Sequence, residues 1–331
     1  MTHMPENAPW REILPFRRID SSLGRVSELI HRSLEARNSQ RDLAFFVDHL
    51  RACNGKMLRP GMVLLAGECF GPLTEEHLRV SAMLEMIHHA TLLHDDVIDE
   101  GRKRRGVPTA NSLWGNECAV LLGDFILSQV FRMAADADPA VAKILAQTAT
   151  RVCEGELRQT VQKRNWQLSE DQYLEIITEK SASFFGGCCR LGAMLSGADE
   201  ERIESLARFG VLAGIAFQIT DDLLDIGGDE DRMGKTSQSD LAKDKPTLAV
   251  IHLLRTIDPA RQAQVGALLD SAGRSRRELV DLLQRQGSLR YARQRAAEYV
   301  AQATGELQNV PASPAKEALI ETAHFLANRA S

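Results

Sequence analysis

The feature that most restricts this chain is a pair of acidic clusters, Asp95-Asp96-Val97-Ile98-Asp99 and Asp221-Asp222-Leu223-Leu224-Asp225, each closing a strongly apolar run. The runs Ala90-Thr91-Leu92-Leu93 and Ile215-Ala216-Phe217-Gln218-Ile219 predict helices that continue into the clusters. On a helix the first and third Asp lie four apart and the second and third lie three apart, so the carboxylates share a face. Gly101 and the pair Gly227-Gly228 stop the two helices, which puts each cluster at a C-terminal end. Anions there oppose the partial negative charge of the helix terminus, at a few tenths to about 1 kcal/mol each. Two carboxylates about 4 Å apart repel by about 4 kcal/mol at an effective dielectric of 20. One such cluster reads as a solvated helix end; two, both prolonging apolar helices, call for bound cations. All-oxygen donors suit Mg2+, which keeps waters and shares its other positions with substrate phosphates.

The remaining sequence is consistent with an all-α chain. Leu23, Val26, Leu29, Ile30 and Leu34 follow the capping candidates Asp20 and Ser21 at three- and four-residue steps. Similar stripes recur through 39–53, 76–100, 116–135, 139–164, 170–196, 200–226, 246–256, 259–272 and 314–328. Pro139, Pro259 and Pro314 each stand just after an Asp or Ser cap, and Ser169 with Gln172 has capping-box spacing. No period-two alternation is convincing. The expectation is an all-α single domain of about ten or more helices over 21–331, with residues 1–20 a polar N-terminal segment. Segments 101–111 and 227–245 read as mobile loops beside the acidic ends.

A formal net charge of −5 excludes the basic face of a nucleic-acid binder. The six cysteines show no C-x-x-C pair and no zinc-like spacing, and residues 1–20 lack the apolar stretch of an export signal. A reduced, cytoplasmic protein without a transmembrane segment is therefore expected.

If metals hold diphosphates, forked or point cations must meet the remaining phosphate oxygens. Gly55-Lys56-Met57-Leu58-Arg59-Pro60 offers Lys56 and Arg59 where a helix begins, and Arg104-Arg105-Gly106 follows Asp99 closely. Lys180, Lys235 and Lys245 recur in the second half. With Gly123-Asp124-Phe125, Gly155-Glu156-x-x-Gln159, Lys180-Ser181, Gln218-x-x-Asp221-Asp222-x-x-Asp225, and Gly234-Lys235 before Asp244-Lys245-Pro246-Thr247, the chain resembles the trans-isoprenyl diphosphate synthase (polyprenyl synthetase) family, most closely its bacterial octaprenyl-type members. The likeness covers nearly the whole length. Asn54 stands where the family has Gly, and Ser181 where it usually has Thr.

The resemblance implies an all-α isoprenoid-synthase bundle around a central cavity, with 21–331 the catalytic domain, and condensation of an allylic diphosphate primer with isopentenyl diphosphate. It implies that Asp95, Asp96, Asp99, Asp221 and Asp222 bind three Mg2+ ions, with Asp225 near them and Mn2+ able to substitute. Arg104, Lys180, Lys235 and Lys245 would hold the allylic diphosphate; Lys56, Arg59, His88 and Arg105 would hold isopentenyl diphosphate. Gln218 and Ser181 would lie near the reacting carbons, and a homodimer is implied. His94 reads as a structural histidine. The helix before Asp95 can line a product tunnel at four-residue steps through Thr91 or Ala90, then Met86 or Ile87, then Met83 or Ala82. Family members that make short products carry a bulky aromatic where Ala90 and Thr91 stand, so a product beyond C15 is expected, perhaps a polyprenyl diphosphate. Plain core packing is the competing reading of the two methionines.

Rival readings differ in what they leave unused. A terpene cyclase pairs one acidic motif with an Asn/Ser/Glu-type partner and an aromatic cavity, whereas both motifs here are Asp-rich and aromatics are only 5%. An HD-type phosphohydrolase built on His88, His94 and Asp95 leaves Lys56, Arg59 and the second triad idle. Head-to-head condensation has no need of a homoallylic site. A farnesyl or geranylgeranyl synthase, or a regulatory subunit of a heteromeric synthase, remains the alternative.

Overall fold

The computed structural model of the protein describes residues 9–35, 46, 49, 55–104, 106–227, 245–270 and 272–328. Two 3-10 turns, Pro9–Glu12 and Leu14–Ile19, lead into α1 (Asp20–Leu34), α2 (Leu58–Glu68) and α3 (Glu75–Ile98). A two-stranded antiparallel ribbon, β1 (Lys103–Arg104) with β2 (Val107–Pro108), connects to α4 (Ala110–Ala134) and α5 (Pro139–Val161). Next come α6 (Glu170–Ile177), a π-helical turn (Thr178–Ala182), α7 (Ser183–Leu195) and α8 (Glu200–Gly227). α9 (Leu248–Thr256), α10 (Pro259–Asp270), α11 (Ala272–Arg285), α12 (Ser288–Glu306) and α13 (Pro314–Asn328) complete the chain. The fold is all-α, as the periodicity predicts. Among the described residues no helix is long and apolar enough to cross a membrane.

Most caps form where the sequence places them, but not at α1, whose N-cap is Ile19 without a side-chain cap because the Asp20 carboxylate is taken by Trp10 and Arg11. Asp138 accepts from Ala140 N at 2.7 Å and Asp258 from Ala260 N at 2.9 Å, each just ahead of a first-turn proline. Ser169 and Gln172 close a reciprocal capping box. α8 packs along α7 and α12, α2 lies between α7 and α3, and α4 runs against α3. The two triad-bearing helices, α3 and α8, thus belong to one core.

Several expectations are corrected. The polar segment over 1–20 gives way at Pro9 to core: Trp10, Ile13, Phe16 and Ile19 are buried. Phe16 fills the space that a side chain at Gly61 of α2 would need. The stripe over 170–196 is not one uniform helix, because the π turn interrupts it. Segment 101–111 is a pinned ribbon rather than a loose loop: Thr109 Oγ1 donates to Gly101 O at 2.7 Å, and Asn111 Nδ2 to Asp96 O and Gly101 O at 3.1 Å each. α11 and α12 arise where no apolar stripe stands out. Most of the stripe over 39–53, and 228–244 of the second loop, lie outside the described residues.

Candidate active site

The first triad occupies the last turn of α3, with Asp99 as the C-cap residue. Gly101 N donates to Asp96 O at 2.8 Å, so the chain turns back over the helix end. The ribbon then returns Arg104 onto Asp96, with Nη2 to Oδ1 at 2.7 Å and Nε to Oδ2 at 3.0 Å. Burial pulls the Arg104 pKa down, but its hydrogen bonds and the charge of Asp96 leave it raised overall. Lys245, nearly buried, reaches Asp99 from beyond the second triad, Nζ to Oδ2 3.2 Å. These cations offset the repulsion and the unfavourable helix terminus.

Asp95 forms no hydrogen bond or ion pair through its carboxylate among the described residues, and neither does Asp221. Removal from water, then the nearby Glu156, push the Asp95 pKa up to about 6, with Lys180 pulling the other way. Lys180 lies on the π turn, where Nζ meets Glu156 Oε1 at 2.5 Å and Gln159 Oε1 at 2.8 Å, both on α5. α5 approaches so closely because residue 155 is glycine: a Cβ there would lie 2.2 Å from Lys180 N. π turns recur at functional sites, and this one carries Lys180 and Ser181.

Ser181 Oγ donates to Gln218 Oε1 at 2.7 Å, and Gln218 Nε2 donates to Asp222 Oδ1 at 2.9 Å. Tyr173 OH, buried at the start of α6, donates to Asp222 Oδ2 at 2.7 Å. The π turn therefore sets two polar groups side by side: Lys180, held by Glu156 and Gln159 near Asp95, and Ser181, hydrogen-bonded through Gln218 to Asp222 of the second triad on α8. Asp225 lies one turn further along α8. Sequence reasoning passes over Tyr173 and gives Glu156 no role. The Glu156 and Gln159 spacing toward Lys180 carried a usable signal, whereas an isolated Tyr did not.

Elsewhere, Lys56 and Arg59 flank the start of α2, one on each side of Met57, which lies in the left-handed region (φ 50°). Lys56 Nζ is 3.4 Å from Glu12 Oε2. His88 lies on α3 with its ring edge against Phe184. Ala90, Met86 and Met83 are fully buried on α3, and Thr91 is partly exposed, its Oγ1 donating to His88 O at 2.8 Å. His94 packs on Gly123 of α4, its Nε2 3.3 Å from Val120 O, which gives it a structural contact. Lys235 and Arg105 lie outside the described residues.

The donor set fits a hard divalent cation: only carboxylate oxygens, with two of the carboxylates, Asp95 and Asp221, unengaged among the described residues and Asp95 in surroundings that a cation would relieve. Among the described residues no three Asp, Glu, His or Cys groups close on one point. A cation here would take few protein oxygens and complete its shell with phosphate and water, the habit of Mg2+.

The polyprenyl synthetase family matches residues 40–285. The nonaprenyl diphosphate synthase of Mycobacterium tuberculosis is 35% identical over 316 residues, 94% of this chain and 93% of that protein. The octaprenyl diphosphate synthase of Escherichia coli is 36% identical over 279 residues, 83% of this chain and 86% of the relative. A polyprenyl synthase from Caulobacter crescentus, crystallised with calcium and isoprenyl diphosphate, superposes with a TM-score of 0.89 at 31% identity, covering 96% of this chain and 97% of that one.

Proposed function

The chain belongs to the polyprenyl synthetase family, and from that membership we propose that it is a prenyltransferase that lengthens an allylic diphosphate by head-to-tail condensation with isopentenyl diphosphate, in the E configuration. The product is longer than C15. The observation that carries the reading is the cationic and polar side chains gathered on both acidic triads: Arg104 on Asp96, Lys245 on Asp99, and Gln218, itself held by Ser181, on Asp222.

Asp95, Asp96, Asp99, Asp221 and Asp222 hold the metal, with Asp225 beside them. We assign it as Mg2+, three ions, replaceable by Mn2+. When bound it supplies the positive charge that stabilises departing pyrophosphate. Arg104, Lys180, Lys235 and Lys245 grip the allylic diphosphate and keep that charge in place as the C–O bond breaks. Ser181 and Gln218, fixed by their mutual hydrogen bond, face the allylic cation. Lys56, Arg59, His88 and Arg105 hold isopentenyl diphosphate so that its double bond attacks, and the released pyrophosphate accepts the proton. Water must be excluded throughout, since a bare allylic cation would otherwise be hydrolysed. Ala90, Thr91, Met86 and Met83 line the path of the growing chain.

A homodimer is supported by the apolar side chains that α4 leaves outside: Leu121 is 66% and Phe131 71% exposed, and Leu113 and Val120 on the same helix are exposed too. The site test is incorporation of labelled isopentenyl diphosphate by the purified chain with Mg2+ and primers of geranyl to geranylgeranyl length, products resolved by chromatography. No consumption with any primer would favour the regulatory-subunit reading instead.

A further inference from the structure

Arg59 and His88 come from different helices, α2 and α3, yet they share a neighbour on a third. The guanidinium carbon of Arg59 lies 4.8 Å from the centroid of the Phe184 ring and 5.2 Å from that of Phe185, both on α7. The His88 ring meets the same Phe184 edge-on at 6.4 Å. Phe184 is only 1% exposed, so it supports these groups from beneath and does not itself meet a ligand, whereas Arg59 and His88 are both partly exposed. Lys56 has both kinds of neighbour, its Nζ 5.7 Å from the centroid of the Phe325 ring and 3.4 Å from Glu12 Oε2.

The cations beside the acidic triads rest on carboxylates. Arg104 rests on Asp96, Lys180 on Glu156 and Lys245 on Asp99. A carboxylate orients a cation by occupying its N–H donors and cancelling part of its charge, which is tolerable where metal ions add positive charge. An aromatic face holds a guanidinium through the ring quadrupole, in a desolvated setting, and consumes no N–H donor.

We propose that Phe184, backed by Phe185, is a positioning residue for the homoallylic diphosphate: its ring sets the plane of Arg59 and the edge of His88 so that both address one anion. The inference rests on the assignment of Arg59 and His88 to isopentenyl diphosphate. Ser181 stands one helical turn before Phe184, so a single stretch of chain ties that anion to the reacting carbons.

The test is steady-state kinetics on the full chain, with isopentenyl diphosphate varied at saturating farnesyl diphosphate and the reverse. Phe184→Leu and Phe184→Met keep the apolar volume but remove the ring face. Each is expected to raise the KM for isopentenyl diphosphate roughly tenfold, with kcat and the primer KM within about twofold of the parent. Phe184→Tyr keeps the ring and is expected to keep that KM, even though its buried hydroxyl lowers the Tm. Arg59→Gln should raise the same KM at least as far. An unchanged KM in both ring-less variants beside a raised one in Arg59→Gln overturns the role of Phe184 and leaves the site assignment standing. An unchanged KM in Arg59→Gln overturns the assignment and the inference with it. Parallel rises for both substrates that track the Tm, with Phe184→Tyr affected alike, would reduce Phe184 to packing and also overturn it.

Discussion

Gly155→Ala should damage stability and turnover together. A Cβ at residue 155 would lie 2.2 Å from Lys180 N, 2.6 Å from Lys180 Cα and 2.8 Å from Glu179 C, where ordinary contact begins near 3.4 Å. All three obstructing atoms are backbone, so no side chain can swing aside, and α5 must part from the π turn by about 1 Å. Overpacking of this kind costs typically 1–3 kcal/mol, and the absence of a yielding neighbour argues for about 3. For 331 residues the unfolding entropy is about 0.7 kcal/mol/K, so the Tm should fall by about 4 °C. Glu156 and Gln159 reach Lys180 across the same junction. A displacement of about 1 Å in a charge-positioning group can cost about a hundredfold in rate, and kcat should fall to that extent. Thermal unfolding by circular dichroism and initial rates of isopentenyl incorporation measure the two effects. Gly266→Ala is the control: nothing lies within 4 Å of its added Cβ in mid-helix α10, and removing a helical glycine should stabilise by about 0.5–1 kcal/mol. A Gly155→Ala protein with unchanged Tm and kcat would refute the packing argument.

Tyr173→Phe deprives Asp222 Oδ2 of its buried donor, worth about 1–3 kcal/mol with a charged acceptor; the Mg2+ concentration for half-maximal thermal stabilisation in the presence of pyrophosphate should rise, and an unshifted midpoint would count against a role in metal binding. Ala90→Phe places a ring on α3 where the chain would grow, so products should stop at about C15, and chromatograms matching the parent would remove Ala90 from the tunnel. His77 is buried with Nδ1 accepting from Thr74 N, and loss of water lowers its pKa against the opposing pull of Gly192 O. Its folded pKa is therefore below the unfolded value of about 6.5, so its contribution to stability is present above that pH and is lost as pH falls below it. His77→Gln keeps the capping-box chemistry without the titration and should flatten the Tm profile between about pH 7.5 and 5; an unaltered profile would refute the linkage.

The acidic ends of α3 and α8 stand out because each closes an apolar run with charge, although α3 is itself buried on every side from Val80 to Ile87. α2 escapes periodicity because Pro60 to Gly67 are all buried, leaving no polar side to set a phase. α12 escapes for the opposite reason: Ala292, Ala296 and Ala303 make its contacts, and small residues in a polar helix leave a faint stripe. The π turn has no local signature; it becomes intelligible only with Gly155 on a helix distant in sequence. The same holds in the site. Spacing announces carboxylates three and four apart, but the hydroxyl of Tyr173 reaches Asp222 from 49 residues away, and only tertiary structure brings them together. Lys56, Arg59 and the triads carry their signal in the chain itself, while Phe184 looks like ordinary core until its neighbours are known.

The two turns at the start of the chain make the amino terminus a keel. Leu14–Ile19 touches α1, α2 and α13 at once, and Phe16 occupies the notch above Gly61, two residues past Arg59. A chain shortened to begin at Asp20 would lose Trp10, the indole partner of the Asp20 carboxylate, and the ring under α2. The loss would fall on the helix that presents Lys56 and Arg59, so trimming for expression should stop short of Pro9, and affinity tags belong ahead of it.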